Sequence, residues 1–309
     1  PEQKAKGVIA CSAGNHAQGV ALGATHNGIK SLICLPAGAP ISKVNATKAL
    51  GAEVCLVNGV YDDAYNKALE LQKEHGYTLV HPFDNPLVIA GQGTIGLEIV
   101  EEMPDVEAVI VPVGGGGLIS GVAFAIKTIK PDVKIYGVQA EGAPSMVNSL
   151  QNNERIRLDS VSTIADGIAV KEPGENTFEL CSKYVDEIIT VSDDEIAAAI
   201  LALIEQHKLV AEGGNIDVTS LNRVITRGLA KSGRDCTITV NLSDKPGELS
   251  KVCNIIGELG ANILSVQHER NSTNTQINGC QLRIEMETLN HEHIAIVKNG
   301  LKQSGFDVN

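Results

Sequence analysis

Four consecutive glycines, Gly114 to Gly117, stand between a short apolar run of β type, Glu107 to Val113, and a helical pattern, Leu118 to Ile129. In regular structure such a run gives up about 0.5–1 kcal/mol per residue against alanine. The sacrifice has a reason where many N–H groups converge on one ligand. The first N–H groups of a helix lack intrahelical partners and the helix dipole favours an anion, so this turn reads as a phosphate cradle. The dinucleotide pattern G-x-G-x-x-G fails in every register, because Ile119 and Ser120 stand where its third glycine belongs. The Gly-Lys-Ser/Thr ending of a triphosphate loop is also missing, so there is no lysine for a triphosphate and no hydroxyl placed for magnesium. A backbone-only cradle suits one small terminal phosphate monoester. The plainer alternative is a tight strand-to-helix turn that holds nothing.

A second glycine turn, Ser12-Ala13-Gly14-Asn15-His16-Ala17-Gln18-Gly19, joins the strand pattern Lys6 to Cys11 to a small-residue helix, Val20 to Thr25. Its N–H groups suit a carboxylate, and Asn15 suits a ring hydroxyl or oxygen. An ordinary N-cap explains the same residues equally well, since Ser and Asn both favour that position. His16 taken alone is more often a structural hydrogen-bonder than a base.

The elements that must position these turns alternate. Strand Ser31–Leu35, helix Ser42–Leu50, strand Glu53–Val57 and helix Tyr61–Glu74 come first. Strand Thr78–His81 and helix Pro86–Met103 lead to the tetraglycine junction; strand Val133–Gln139, a helix from Ser145, strand Glu187–Val191 and helix Asp193–Lys208 follow it. Alternation of this kind predicts an α/β fold with a doubly wound parallel sheet. Ligands of such sheets bind at the carboxyl ends of the strands, where both glycine turns lie, and that placement favours one shared ligand. Ile164 to Val170 reads as an irregular loop.

Composition agrees. Of the 309 residues 43% are hydrophobic and only 3% aromatic, with no Trp, so the core is built of Val, Ile, Leu and Ala, as in parallel sheets covered on both faces. A formal charge of −12 excludes nucleic acid and anionic membrane as the main partner. No apolar run reaches the length of a membrane span. Seven cysteines without a C-x-x-C spacing read as reduced, packed thiols of a cytoplasmic protein, with no disulfide frame and no metal site.

From Arg234 the texture changes. Half-exposed strand Cys236–Leu242, helix Ser250–Leu259, strands Asn262–Glu269 and Gly279–Glu287 around a polar loop at 270–278, helix His291–Gln303 and strand Gly305–Val308 spell βαββαβ, a small ferredoxin-like domain. The predicted division is 1–233 and 234–309.

These motifs together resemble the pyridoxal-phosphate-dependent threonine dehydratases (threonine ammonia-lyases) of the tryptophan-synthase β-like fold, pyridoxal-phosphate fold type II. The resemblance rests on Ser12 to Gly19, Gly114 to Leu118, and Ile164-Ala165-Asp166-Gly167-Ile168-Ala169-Val170, and covers nearly the whole chain. The tail, with Asp244-Lys245-Pro246-Gly247, resembles an ACT domain, an amino-acid-sensing module. The resemblance implies that Gly114, Gly115, Gly116, Gly117 and Leu118 hold the cofactor phosphate and that Asn15 bonds the 3′-oxygen of the pyridine ring. The N–H groups of Ser12, Ala13, Gly14, Asn15 and His16 would hold the substrate carboxylate. Ala13 stands where related serine racemases carry a serine that acts on the second face, which favours elimination over racemisation. The implied reaction removes the α-proton and then the β-hydroxyl of L-threonine, and of L-serine, leaving ammonia and 2-oxobutanoate or pyruvate. An amino-acid effector would bind near Asp244, Pro246, Gly247, Glu248 and Asn262, in a homodimer or homotetramer.

Two departures qualify this. The family's Schiff-base lysine lies in a Phe-Lys-x-Arg-Gly-Ala type segment ahead of the Asn15 turn. This sequence contains no such segment, and Lys4, Lys6 and Lys43 stand in other contexts, so no catalytic residue is assigned. The family also runs from Glu-Gly-Ala-Gly through a helix and a strand to Ser-Gly-Gly-Asn, whereas here Glu212-Gly213 abuts Gly214-Asn215. The expectation is a chain truncated at its amino end, internally deleted and inactive alone. The alternatives are a non-catalytic amino-acid-binding relic, or a serine dehydratase or racemase of the same fold.

Overall fold

The structure is a computed structural model that describes residues 2–207, 209, 218–269 and 279–309. The pattern break at Glu212–Asn215 and the polar loop at 270–278 lie outside the described residues. The chain divides into two units, residues 1–193 with 212–218, and residues 194–211 with 219–309.

In the first unit a short helix, α1 (Glu2–Lys6), precedes strand β1 (Val8–Cys11), which buries three of its four residues. Helix α2 (Asn15–His26) leads to β2 (Ser31–Pro36), and α3 (Ile41–Ala49) to β3 (Glu53–Val57). Helix α4 (Tyr61–His75) then precedes β4 (Thr78–Leu79). The four strands are parallel in the order β3-β2-β1-β4, with Cys11 opposite Cys34 and Cys34 opposite Cys55. Ala17 and Ala21 of α2 pack on Ala10, Ile33 and Leu35, and alanines let that helix lie close to the sheet.

A second parallel sheet, order β5-β6-β7, follows helix α5 (Pro86–Glu102). It consists of β5 (Ala108–Pro112), helix α6 (Gly117–Ile129), β6 (Lys134–Ala140), helices α7 (Ser145–Asn152) and α8 (Glu175–Tyr184), and β7 (Glu187–Val191). Val111, Val113 and Ile135 bury against Ile119, Val122 and Ile126 of α6. A Cβ on Gly121 would stand 2.3 Å from the Ile89 carbonyl oxygen, so α5 and α6 approach at a distance only glycine permits. The expected alternation is therefore distributed over two parallel sheets.

The second unit holds most of helix α9 (Asp193–Ala202), a wide turn at Leu203–His207, and helix α10 (Val218–Lys231). Arg227 of α10 is paired with Asp194 of α9 at 2.7 Å. Then come β8 (Asp235–Ser243), α11 (Glu248–Glu258), β9 (Asn262–Glu269), β10 (Gly279–Glu287), α12 (His291–Gln303) and β11 (Asp307–Val308). The antiparallel sheet runs β11-β8-β10-β9, the ferredoxin-like order, and its helices bury Val252, Ile256, Val297 and Leu301 against Ile238, Val240, Leu282, Ile284 and Met286.

Candidate active site

The tetraglycine turn is forced by its neighbours. A Cβ on Gly114 would meet the Ile168 Cα at 3.0 Å, and one on Gly115 would meet the Phe83 ring at 2.5 Å. At Gly117 it would lie 2.8 Å from the Phe83 Cβ, and Gly116 adopts φ +94° beside Met146 and Thr177. Packing alone thus explains all four glycines, which removes glycine count as an argument for a ligand.

Among the described residues, the backbone N–H groups of Gly114, Gly115, Gly116, Gly117, Leu118 and Ile119 meet no protein acceptor; the first intrahelical bond is Ser120 N–H to the Gly116 carbonyl at 3.0 Å. Gly115, Gly116, Gly117 and Ile119 are buried. An unpaired buried N–H costs about 1–3 kcal/mol, so a cluster of them calls for an acceptor that the described residues do not supply. Elsewhere the chain does supply one. Asn85 Oδ1 caps α5 by accepting from Leu87 and Val88, and Asn290 Oδ1 caps α12 by accepting from His293. Most fully, the Asp84 carboxylate accepts from Glu175, Asn176 and Thr177 at 2.9, 2.9 and 3.2 Å, closing the start of α8. Helix α6 is left open.

One further contact aims the turn. The Thr177 hydroxyl donates to the Gly115 carbonyl at 2.6 Å, and Gly174 N–H reaches the same oxygen at 3.4 Å. A trans peptide is planar, so fixing that carbonyl towards α8 directs the Gly116 N–H to the opposite side.

The second open N-terminus is that of α2. It begins at Asn15, five residues before the expected start, with Gly14 as N-cap and no side-chain cap. Gly14 N–H donates to Ser12 Oγ at 3.2 Å and is thereby engaged. Those of Ala13, Asn15, His16 and Ala17 meet no acceptor among the described residues. Asn15 is exposed at the start of the helix. His16 Nε2 bonds the Val80 carbonyl at 2.9 Å, and burial, opposed by that bond, pushes the imidazole below its ordinary value. Three residues on, Phe83 lies against Gly115 and Gly117. One stretch, Val80 to Phe83, thus touches both glycine turns. His81 Nδ1 accepts from Phe83 and Asp84 N–H, which fixes its shape; burial lowers its pKa, with Asp84 opposing and His16 adding to the fall. Cys11, beside this turn, is no nucleophile, since burial, with Cys34 next, pushes its thiol up to about 12.

The segment expected as a loop, Ile164 to Val170, contains a single 3-10 turn at Asp166–Ile168 and walls the glycine turn through Ile168 and Val170. Asp193 holds its start, accepting from Thr163 Oγ1 at 2.6 Å and Ile164 N–H at 3.1 Å. Lys43 of α3, buried, meets Asp166 at 2.7 Å.

The residues expected around an effector do not converge within one copy. Asp244 follows the end of β8 beside His268, 3.9 Å away at the end of β9, whereas Asn262 opens β9 and bonds Glu287 at 2.9 Å. Seven residues of strand, roughly 23 Å, separate the two ends. The cause is α11, which carries the chain back to the far end of the sheet before β9 begins. Pro246, Gly247 and Glu248 stay with Asp244, Gly247 as the N-cap of α11 at φ +92°.

Sequence reading missed Phe83, Asp84 and Thr177 because their partners lie far along the chain. Asp84 carried the one local sign, an acidic residue just ahead of the Asn85-Pro86 helix start.

The residues present fit pyridoxal phosphate: an open, buried helix N-terminus for a phosphate monoester, and a second one, reached through Val80 to Phe83, for a carboxylate. The chain is 48% identical to the L-threonine ammonia-lyase of Thermotoga maritima over 333 aligned positions, spanning 99% of this chain and 83% of that protein. It is 44% identical to that of Geobacter sulfurreducens over 332, with the same coverage. The processed threonine deaminase isoform 2 of Solanum lycopersicum superposes with a TM-score of 0.71 at 40% identity, covering 73% of this chain and 74% of that one. The family model described as pyridoxal-phosphate dependent enzyme matches residues 1–232, with both open helix N-termini inside the match, and the chain belongs to that family.

Proposed function

We propose that this chain carries the cofactor and substrate sites of a threonine ammonia-lyase, which deaminates L-threonine to 2-oxobutanoate and ammonia and L-serine to pyruvate. The observation that carries the reading is the pair of open helix N-termini joined by Val80 to Phe83. Pyridoxal phosphate, when bound, supplies an electron sink for the pair left as the α-proton departs. Gly114 to Gly117 and Leu118 hold its phosphate, and Asn15 its ring oxygen. The free N–H groups of Ala13, Asn15 and His16, with Ser12 beside them, hold the substrate carboxylate and so orient the α-carbon. His16, neutral and fixed through Nε2, adds no positive charge there. Ala13 offers no hydroxyl for a proton on the second face, in keeping with elimination.

The 309 residues contain no lysine in the family's tethering context. The alignment to the Thermotoga enzyme is at least 24 positions longer than the chain (333 − 309), which supports an internal deletion. We therefore propose that these residues seat the cofactor without tethering it and do not turn over alone. Equilibrium dialysis against pyridoxal phosphate tests the site, with inorganic phosphate as competitor; 2-oxobutanoate release from L-threonine tests turnover. Failure to retain pyridoxal phosphate at millimolar concentration sinks the site. Threonine turnover by this polypeptide overturns the incompleteness.

Two other readings remain as outcomes. A non-catalytic amino-acid-binding protein would bind threonine without needing the cofactor, and a serine dehydratase or racemase would prefer serine.

For residues 234–309 we propose an ACT module that senses an amino acid through Asp244, Pro246, Gly247 and Glu248, with Asn262 contributed by another copy in a homodimer or homotetramer. The ferredoxin-like strand order supports it. Calorimetric titration of the whole chain with a panel of amino acids, alongside light-scattering mass, tests both; no binding at millimolar levels removes the sensor. The seven cysteines form no disulfide, which supports a cytoplasmic setting. No helix among the described residues is long and apolar enough to cross a membrane.

A further inference from the structure

The Lys43 side chain is 6% exposed, on a helix face it shares with Val44 and Thr47, where an uncharged side chain would pack without cost. Its ammonium lies 2.7 Å from Asp166, 123 residues away. That contact spans the two sheets of the first unit, because α3 leads into β3 while Asp166 belongs to the connection between β6 and β7. Asp166 sits mid-way in the segment that walls the glycine turn; Asp193 holds the segment's start, and Leu158 N–H, bonded to the Lys171 carbonyl at 2.9 Å, holds its end. Between these anchors, Ile168 and Val170 rest on Gly114.

We propose that the Lys43–Asp166 ion pair is a clamp that presses residues 164–170 onto the glycine turn, making Lys43 a positioning residue for the phosphate site. The inference rests on the reading of that turn as an anion cradle. An ion pair with its lysine buried and its aspartate exposed is a poor device for stability, since an apolar side chain in place of Lys43 would bury as well, but it fixes one geometry. Lys43→Met keeps the volume and burial and removes only the charge. Asp166→Asn removes the partner from its exposed side, and Lys43→Asp with Asp166→Lys exchanges the two.

Hydrogen exchange by mass spectrometry on the full chain, without ligand, tests the clamp. Exchange in 164–170 rises at least tenfold in Lys43→Met and in Asp166→Asn, with β1 and α6 unchanged. Dialysis against pyridoxal phosphate and against inorganic phosphate tests its consequence, a roughly tenfold weaker Kd for both, partly restored in the exchanged pair. A purely structural role instead lowers Tm and leaves exchange in 164–170 and both Kd values where they were, which overturns the proposal. Labelling of Lys43 after incubation with pyridoxal phosphate and borohydride also overturns it, by giving the ammonium a different partner. Because exchange is read without ligand, a wild-type chain that binds no phosphate sinks the cradle reading and leaves the exchange result to judge the clamp.

Discussion

Thr177 donates its buried hydroxyl to the Gly115 carbonyl at 2.6 Å, so helix α8 sets the direction in which the Gly116 N–H points. Replacing Thr177 with Val keeps the shape and deletes the donor. The Gly115 carbonyl then retains only the longer bond from Gly174, and the loss is about 1–2 kcal/mol. The expected outcome is a drop in Tm together with about tenfold weaker pyridoxal phosphate binding, read by dialysis. Unchanged affinity would show that the peptide holds its orientation without Thr177.

Gly116 offers a sharper change. At φ +94° with the Met146 methyl 2.6 Å and Thr177 Cβ 2.9 Å from a built Cβ, alanine meets both backbone strain and overlap. Gly116→Ala is expected to cost about 2–4 kcal/mol and to abolish phosphate binding. Urea unfolding and dialysis check the two effects separately.

The two histidines at the site give a pH dependence. His16 and His81 are both held below the ordinary imidazole value, burial being the main cause. The unfolded chain then takes up protons first, so their contribution is fully present above the unfolded value near 6.5 and declines as pH falls through it towards the folded values. Stability of the wild type should fall as pH drops below about 6.5. His16→Gln should flatten that slope, as measured by urea midpoints across the range.

Asp186 gives the same sign at lower pH. Burial pushes its carboxyl up, but Lys127 at 2.8 Å, the Ile135 N–H at 2.8 Å and Lys134 at 2.9 Å outweigh it and hold the group well below the usual carboxylate range. Its contribution is complete above the unfolded value near 3.9 and disappears as pH drops below it. Asp186→Asn should cost about 2 kcal/mol at pH 7, and the difference from wild type should vanish on acidification. A difference at pH 2.5 as large as the one at pH 7 would assign the effect to packing.

Legibility in the sequence followed the range of the forces involved. The β3 strand, Glu53–Val57, and helix α10, Val218–Lys231, match their expected bounds because their apolar patterns and flanking turns are local. The β4 strand stops at Leu79, two residues early, because Val80 and His81 turn to bond His16 and to shape the Phe83 bend. Helix α8 was not legible: Glu-Asn-Thr-Phe-Glu-Leu-Cys-Ser-Lys-Tyr has a weak apolar stripe, and its cap, Asp84, lies 91 residues upstream. Lys43 stands outside the family's tethering context and carried no further sign in the sequence, because its partner, Asp166, lies 123 residues away. The two glycine turns were legible as strand-to-helix junctions, yet the count of glycines in the tetraglycine turn reports close packing by Phe83 and Ile168.

The Asp84 carboxylate at the start of α8 has a counterpart in what α2 and α6 lack. A helix end already filled by the protein's own anion admits no other, whereas the starts of α2 and α6, as proposed carboxylate and phosphate sites, would sort visitors by charge before shape. Amino alcohols and amino-acid amides would then forfeit the α2 site even with the cofactor held at α6. On the proposed reading, selection for free amino acids over their neutral relatives would lie in backbone N–H groups rather than in a charged side chain.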